Sequence, residues 1–97
     1  MKIYEKADID RAFESVMRLI DKGADLQSLR TFGGSLSITV ASRLAQLKSG
    51  SAKSRNRELE IAKLEEVVSC LNFKLNSSDF AAIAHDVSEA YKIYAMQ

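Results

Sequence analysis

Residues 22–50, KGADLQSLRTFGGSLSITVASRLAQLKSG, decide the fold. Leu36, Ile38 and Val40 alternate with Ser37, Thr39 and Ala41, the pattern of a half-buried strand. Leu36, Val40, Leu44 and Leu47 also recur at steps of four, four and three, the pattern of one helix face. The strand reading accounts for six residues and stops at Ala41. The helical reading continues through Arg43, Leu44 and Leu47 to Lys48, and a basic last turn followed by Gly50 is a helix stop. β-branched Ile38, Thr39 and Val40 lower helix propensity by only a few tenths of a kcal/mol each, roughly. The helix is therefore the better reading.

Working outward, Asp8 is a candidate cap for a first helix reaching about Lys22, with Ile9, Phe13, Val16 and Ile20 on its apolar side. Gly23 suits a left-handed stop. Asp25 caps a short second helix holding Leu26 and Leu29, and Gly33-Gly34 is expected to break the chain before the third. Residues 49–57, SGSAKSRNR, read as a flexible basic loop. Ile61, Leu64, Val68, Leu71 and Leu75 then form a short heptad seam, although Phe73 and Leu75 could begin a strand. Asn76-Ser77-Ser78 punctuates, and Ser78 or Asp79 opens a last helix lined by Phe80, Ile83, Val87, Tyr91 and Tyr94. The expectation is an all-α chain of about five helices with at most minor strand. It is one domain over residues 1–97, with a possible helix-turn-helix core and a C-terminal helical pair.

Composition narrows the class. Ninety-seven residues, 46% apolar and 28% charged, suit one globular core. No apolar run approaches the roughly 18–20 residues of a membrane span. The chain is polar from Lys2 onward, unlike a signal peptide, and its single cysteine fits a reducing cytoplasm. The net charge of +1 conceals a strong asymmetry. Residues 1–25 carry −1 and residues 58–97 carry −4, whereas residues 26–57 hold Arg30, Arg43, Lys48, Lys53, Arg55 and Arg57 without one acid. That block makes a local positive field.

The middle of the chain resembles small helix-turn-helix proteins of the phage-repressor and Lac-repressor-headpiece type. Gly23, Asp25, Leu29 and Gly34 match that family's glycine, helix cap, apolar and turn-glycine spacing. TVASRLAQL looks like the start of its recognition helix. SAKSR followed by a helix ending CLNF is similar to the segment after it, and Leu64, Val68, Leu71, Phe73 and Leu75 resemble the closing helix and tail. The match spans roughly residues 9–75. It departs at Arg30, where the family carries a small residue, at one extra residue before Ser42-Arg43, and at about five more before the next helix.

The resemblance implies a DNA-binding transcription regulator. Ser42 and Arg43 would lie in or beside the groove, where an arginine fork can pair with a guanine edge. Ser37, Thr39 and Lys48 would lie near them, and Lys53, Arg55 and Arg57 would supply sequence-independent phosphate contacts. A homodimer built on Leu64, Val68, Leu71, Phe80, Tyr91 and Tyr94 would pair two such readers. The bland counterparts are a solvated helix face, a solubilising loop and core packing. The alternative, from a second class, is a helical adaptor or inhibitor, of phage or plasmid type, whose basic segment docks on an acidic protein partner.

Catalysis has little support. His85 is the only histidine, Cys70 has none near it in sequence, and adjacent Glu65 and Glu66 diverge on a helix. No ligand spacing suggests a metal or cofactor, and the expectation is a non-enzyme.

Overall fold

The structure, a computed structural model, describes residues 2–71 and 79–96. Among them are four helices, α1 (Lys6–Lys22), α2 (Leu26–Ser49), α3 (Arg57–Leu71) and α4 (Phe80–Ala95), and no strand. The opening segment is helical, as its four-four-three spacing predicts. The expected break at Gly33-Gly34 is not there: α2 runs unbroken for 24 residues. The count is therefore four helices rather than about five, and the turn of the helix-turn-helix is absent.

The physical reason is a matter of magnitudes. Two interior glycines cost a helix about 2 kcal/mol relative to alanine. The residues on either side, Leu29, Leu36, Val40 and Leu47, are all fully buried. Burying each gives about 1.5–3 kcal/mol, and only one continuous helix keeps them on one line. Gly33 lies on that same buried stripe.

The ends are set by local chemistry. Asp25 caps α2 by accepting a hydrogen bond from the Ser28 amide at 2.7 Å, and Asp79 caps α4 by accepting from Ala81 N–H at 3.0 Å. Gly23 and Gly50 close α1 and α2 at φ +68° and +85°, a region open to glycine without strain. The cap of α1 is Glu5 rather than Asp8, which instead completes a reciprocal capping box from the third helical position. The expected strand start at Phe73 and Leu75 and the punctuation at residues 76–78 lie outside the described residues.

One core runs through all four helices, from Ile9, Phe13 and Val16 of α1 to Ile83, Val87 and Ala90 of α4. Tyr94 stacks on Phe13 with ring centroids 5.1 Å apart, and Tyr91 meets the same ring edge-on at 5.3 Å. The Tyr94 hydroxyl donates to Asp10 Oδ1 at 2.6 Å. Burial, with Asp10 adding to it, pushes this phenol far above its ordinary value. α2 packs chiefly against α1 and α3, so its remaining side faces outward.

Gly34 lies toward that outward side, and a Cβ built on it meets no neighbouring atom within 4 Å. Gly34→Ala should therefore raise the stability of the isolated chain by about 1 kcal/mol, measured by urea unfolding at low protein concentration. No gain would mean that the glycine serves the fold in some other way.

Candidate interaction surface

A helical wheel of α2 divides its side chains. Leu29, Gly33, Leu36, Val40, Arg43 and Leu47, spaced four, three, four, three and four apart, form the buried stripe. Arg43, expected beside a DNA groove, is thus on the buried side of α2 and only 6% exposed. Its Nε and Nη2 donate to the two carboxylate oxygens of Glu60, the latter at 3.1 Å, and Nη1 donates to the Tyr4 carbonyl at 2.7 Å. Glu60 also accepts from the Ser54 hydroxyl at 2.5 Å. Beside this centre, the Gln46 side chain accepts from the Tyr4 amide and donates to the Lys2 carbonyl, both at 2.7 Å. One guanidinium therefore ties together the N-terminal segment, α2 and the start of α3.

The other basic residues divide in the same way. Arg57 donates to the carbonyls of Leu47 at 2.9 Å and Lys48 at 3.1 Å, satisfying the C-terminal end of α2. Lys48 is exposed but paired with Glu65 at 3.0 Å. Lys53 and Arg55 are exposed and, among the described residues, form no ion pair. The expected basic loop is real, but it is anchored: Ala52 is buried, and its amide donates to the Gln46 carbonyl at 3.1 Å. Of the polar residues proposed to meet DNA, Ser37 and Ser42 are half-buried, and the Thr39 hydroxyl donates to the Ser35 carbonyl at 2.8 Å.

The expected C-terminal dimer interface is largely interior. Leu64, Leu71 and Tyr94 are buried, while Val68 and Phe80 pack half-buried against the core. Tyr91 alone of that set is exposed, beside an open groove of about 510 Å³ between α1 and α4. Two of its three acids are engaged, Asp10 with Tyr94 and Lys6 and Glu14 with Arg18, and the third is Asp21. A smaller groove of about 290 Å³ between α1 and α2 is edged by Phe32, Arg11 and Thr39.

What remains is the outward side of α2. Ile38, 64% exposed, lies at its centre, and Phe32, 46% exposed, sits toward α1. Around Ile38 on the wheel are Thr31, Gly34, Ala41 and Ala45, all small and uncharged. Sequence reasoning missed Glu60, Ser54, Tyr4 and Gln46, none of which carries a signal linking it to Arg43. It also missed Ile38, although the wheel places it opposite Leu29 and Leu47.

No protein-family profile, curated protein or solved structure matches this chain.

The Arg43–Glu60 pair makes a stability prediction. Burial raises the Glu60 pKa, but hydrogen bonds from Arg43 and Ser54 and the charges of Arg43 and Lys63 outweigh it and hold it below 4.5. A depressed folded-state pKa contributes stability that is full above about 4.5 and is lost as pH falls through the lower folded value. Arg43→Met should cost about 2–3 kcal/mol at neutral pH, because Glu60 is left half-buried without its cation. It should also shift acid unfolding to higher pH. Adding Glu60→Gln should restore part of the loss, as read by urea unfolding between pH 3 and pH 7.

Proposed function

We propose that the protein is a helical protein–protein interaction module, an adaptor or inhibitor rather than an enzyme. It docks on an acidic partner through the acid-free segment of residues 26–57. The observation that carries this reading is the outward side of α2, where a bulky isoleucine is 64% exposed at the centre of the longest helix. An exposed apolar side chain amid small neutral residues suits protein contact better than nucleic acid, whose surface is a lattice of charged phosphates. At the C-terminal end of that helix, Lys53 and Arg55 supply the charge that would favour an acidic complement.

The DNA-binding reading loses its recognition helix, since the turn is absent and Arg43 is buried. Its remaining support is the exposed Lys53 and Arg55, which fit phosphates as well as carboxylates. A homodimer remains compatible with either reading, although Leu64, Leu71 and Tyr94 are interior residues of this chain.

A photo-crosslinking residue at position 53 of the intact chain should trap a protein whose contact surface is acidic. Lys53→Ala with Arg55→Ala should then weaken the purified complex about tenfold at low salt and less at high salt. Random duplex DNA should show no mobility shift. A salt-sensitive shift would restore the DNA reading, above all if its log–log salt slope fell by about 0.9 for each loop cation removed.

A further inference from the structure

We propose that Arg43 and Gln46 form a reading site for an extended peptide backbone, filled in this chain by its own residues 2–4, which act as a removable strap. The inference goes beyond the proposed function, because this site holds a partner by its backbone rather than by its charge.

The pattern of hydrogen bonds carries it. The Gln46 carboxamide donates to the Lys2 carbonyl and accepts from the Tyr4 amide, both at 2.7 Å. The Arg43 guanidinium donates to the Tyr4 carbonyl, also at 2.7 Å. In an extended chain, the carbonyl of one residue lies on the same edge as the amide and carbonyl of the second residue after it. Those are the three groups held here. Glu5, which follows them as the cap of α1, is itself extended, with φ −114° and ψ 168°. Arg43 and Gln46 are three apart on α2 and so neighbours on its surface. Together they bond the segment as an adjacent strand would, the way an added peptide is held at a sheet edge.

The reading side is built and the strap is lightly held. Arg43 is fixed by Glu60 through its other nitrogens, which leaves Nη1 aimed at the strap. Residues 2–4, by contrast, are absent from the buried core and from the hydrophobic side chains packed against it. Ile3 is 41% exposed, Lys2 is exposed and Tyr4 is half-buried. The side-chain contacts of Lys2 are local, with Asp8 at 3.8 Å and over the Tyr4 ring at 4.8 Å. A segment with little buried apolar surface opens far more often than packed helices unfold.

Once lifted, the strap leaves the Gln46 carboxamide and Arg43 Nη1 without these partners. An extended segment of another protein restores all three bonds. A helix does not, because its own backbone groups are already paired. The partner class is therefore a peptide tail or an unpaired strand edge, with loose demands on its side chains.

Two measurements test this. Native-state hydrogen exchange of the wild-type full chain reads the strap directly. The Tyr4 amide should exchange about a hundredfold faster than the buried Val40 amide, or more, and should respond little to urea. Exchange at the rate of global unfolding would overturn the removable strap, and this result needs no variant. The second measurement adds the acetylated, amidated tetrapeptide of residues 2–5 to full-length Tyr4→Pro. Proline removes the N–H that Gln46 accepts and puts a ring carbon in its place, which dislodges the strap without altering α2. Backbone amide signals around position 46 should shift saturably, with Kd about millimolar, as three hydrogen bonds and little apolar burial imply. Wild type should bind about tenfold more weakly, because its own strap holds the site. Adding Gln46→Ala to Tyr4→Pro should abolish the shifts. No shift in a Tyr4→Pro chain shown to be folded by circular dichroism, or binding that survives Gln46→Ala, would overturn the reading site. Neither result involves Lys53 or Arg55, so failure here leaves the proposed function standing, and failure of the crosslink at position 53 leaves this site standing.

Discussion

Arg43 and Glu60 form the joint on which the arrangement of this bundle depends. Each lies on a different helix, and Arg43 also holds the Tyr4 carbonyl while Glu60 holds Ser54. A buried ion pair is not in itself a strong source of stability, because removing two charges from water offsets most of their attraction. What this one contributes is register. Sliding α3 by one turn would move Glu60 about 5.4 Å and leave a buried guanidinium without its carboxylate. The apolar stripes of α2 and α3 tolerate several alignments, whereas the forked pair favours one. The N-terminal segment then follows, held by Arg43 and Gln46 through its own backbone groups.

This joint also changes how the charge pattern should be understood. Six bases and no acid between residues 26 and 57 read as a surface field. Arg43 is spent on the core, Arg57 on the last carbonyls of α2, and Lys48 on Glu65. Much of the block is therefore structural: it joins the middle of the chain to the acidic helix that follows it. The asymmetry of charge along the sequence is in part an intramolecular complement rather than an invitation to a polyanion.

The helix over residues 36–47 was legible because its period is local, and the caps at Asp25, Asp79 and Gly23 were legible because each acts within a few residues of itself. The break expected at Gly33-Gly34 is absent because glycine propensity is local, while the burial of Leu29 and Leu36 that overrides it is tertiary. Arg43 shows a different failure. Its place on the stripe with Leu36, Val40 and Leu47 can be counted in the sequence, but a charged side chain is ordinarily exposed. Its partner, seventeen residues away on another helix, has no sequence signature. The candidate surface at Ile38 follows once the buried stripe is drawn correctly, since it is simply what lies opposite.

The chain has three tyrosines and no tryptophan, so its intrinsic emission comes from phenols. Tyr94 rests its hydroxyl on the Asp10 carboxylate and its ring on Phe13. Proton transfer from an excited phenol to a hydrogen-bonded carboxylate competes with emission, so Tyr94 should emit less while α4 is docked on α1 than after the two helices separate. The protein thus contains an optical gauge of one particular helix contact, that of α4 on α1, readable without any label.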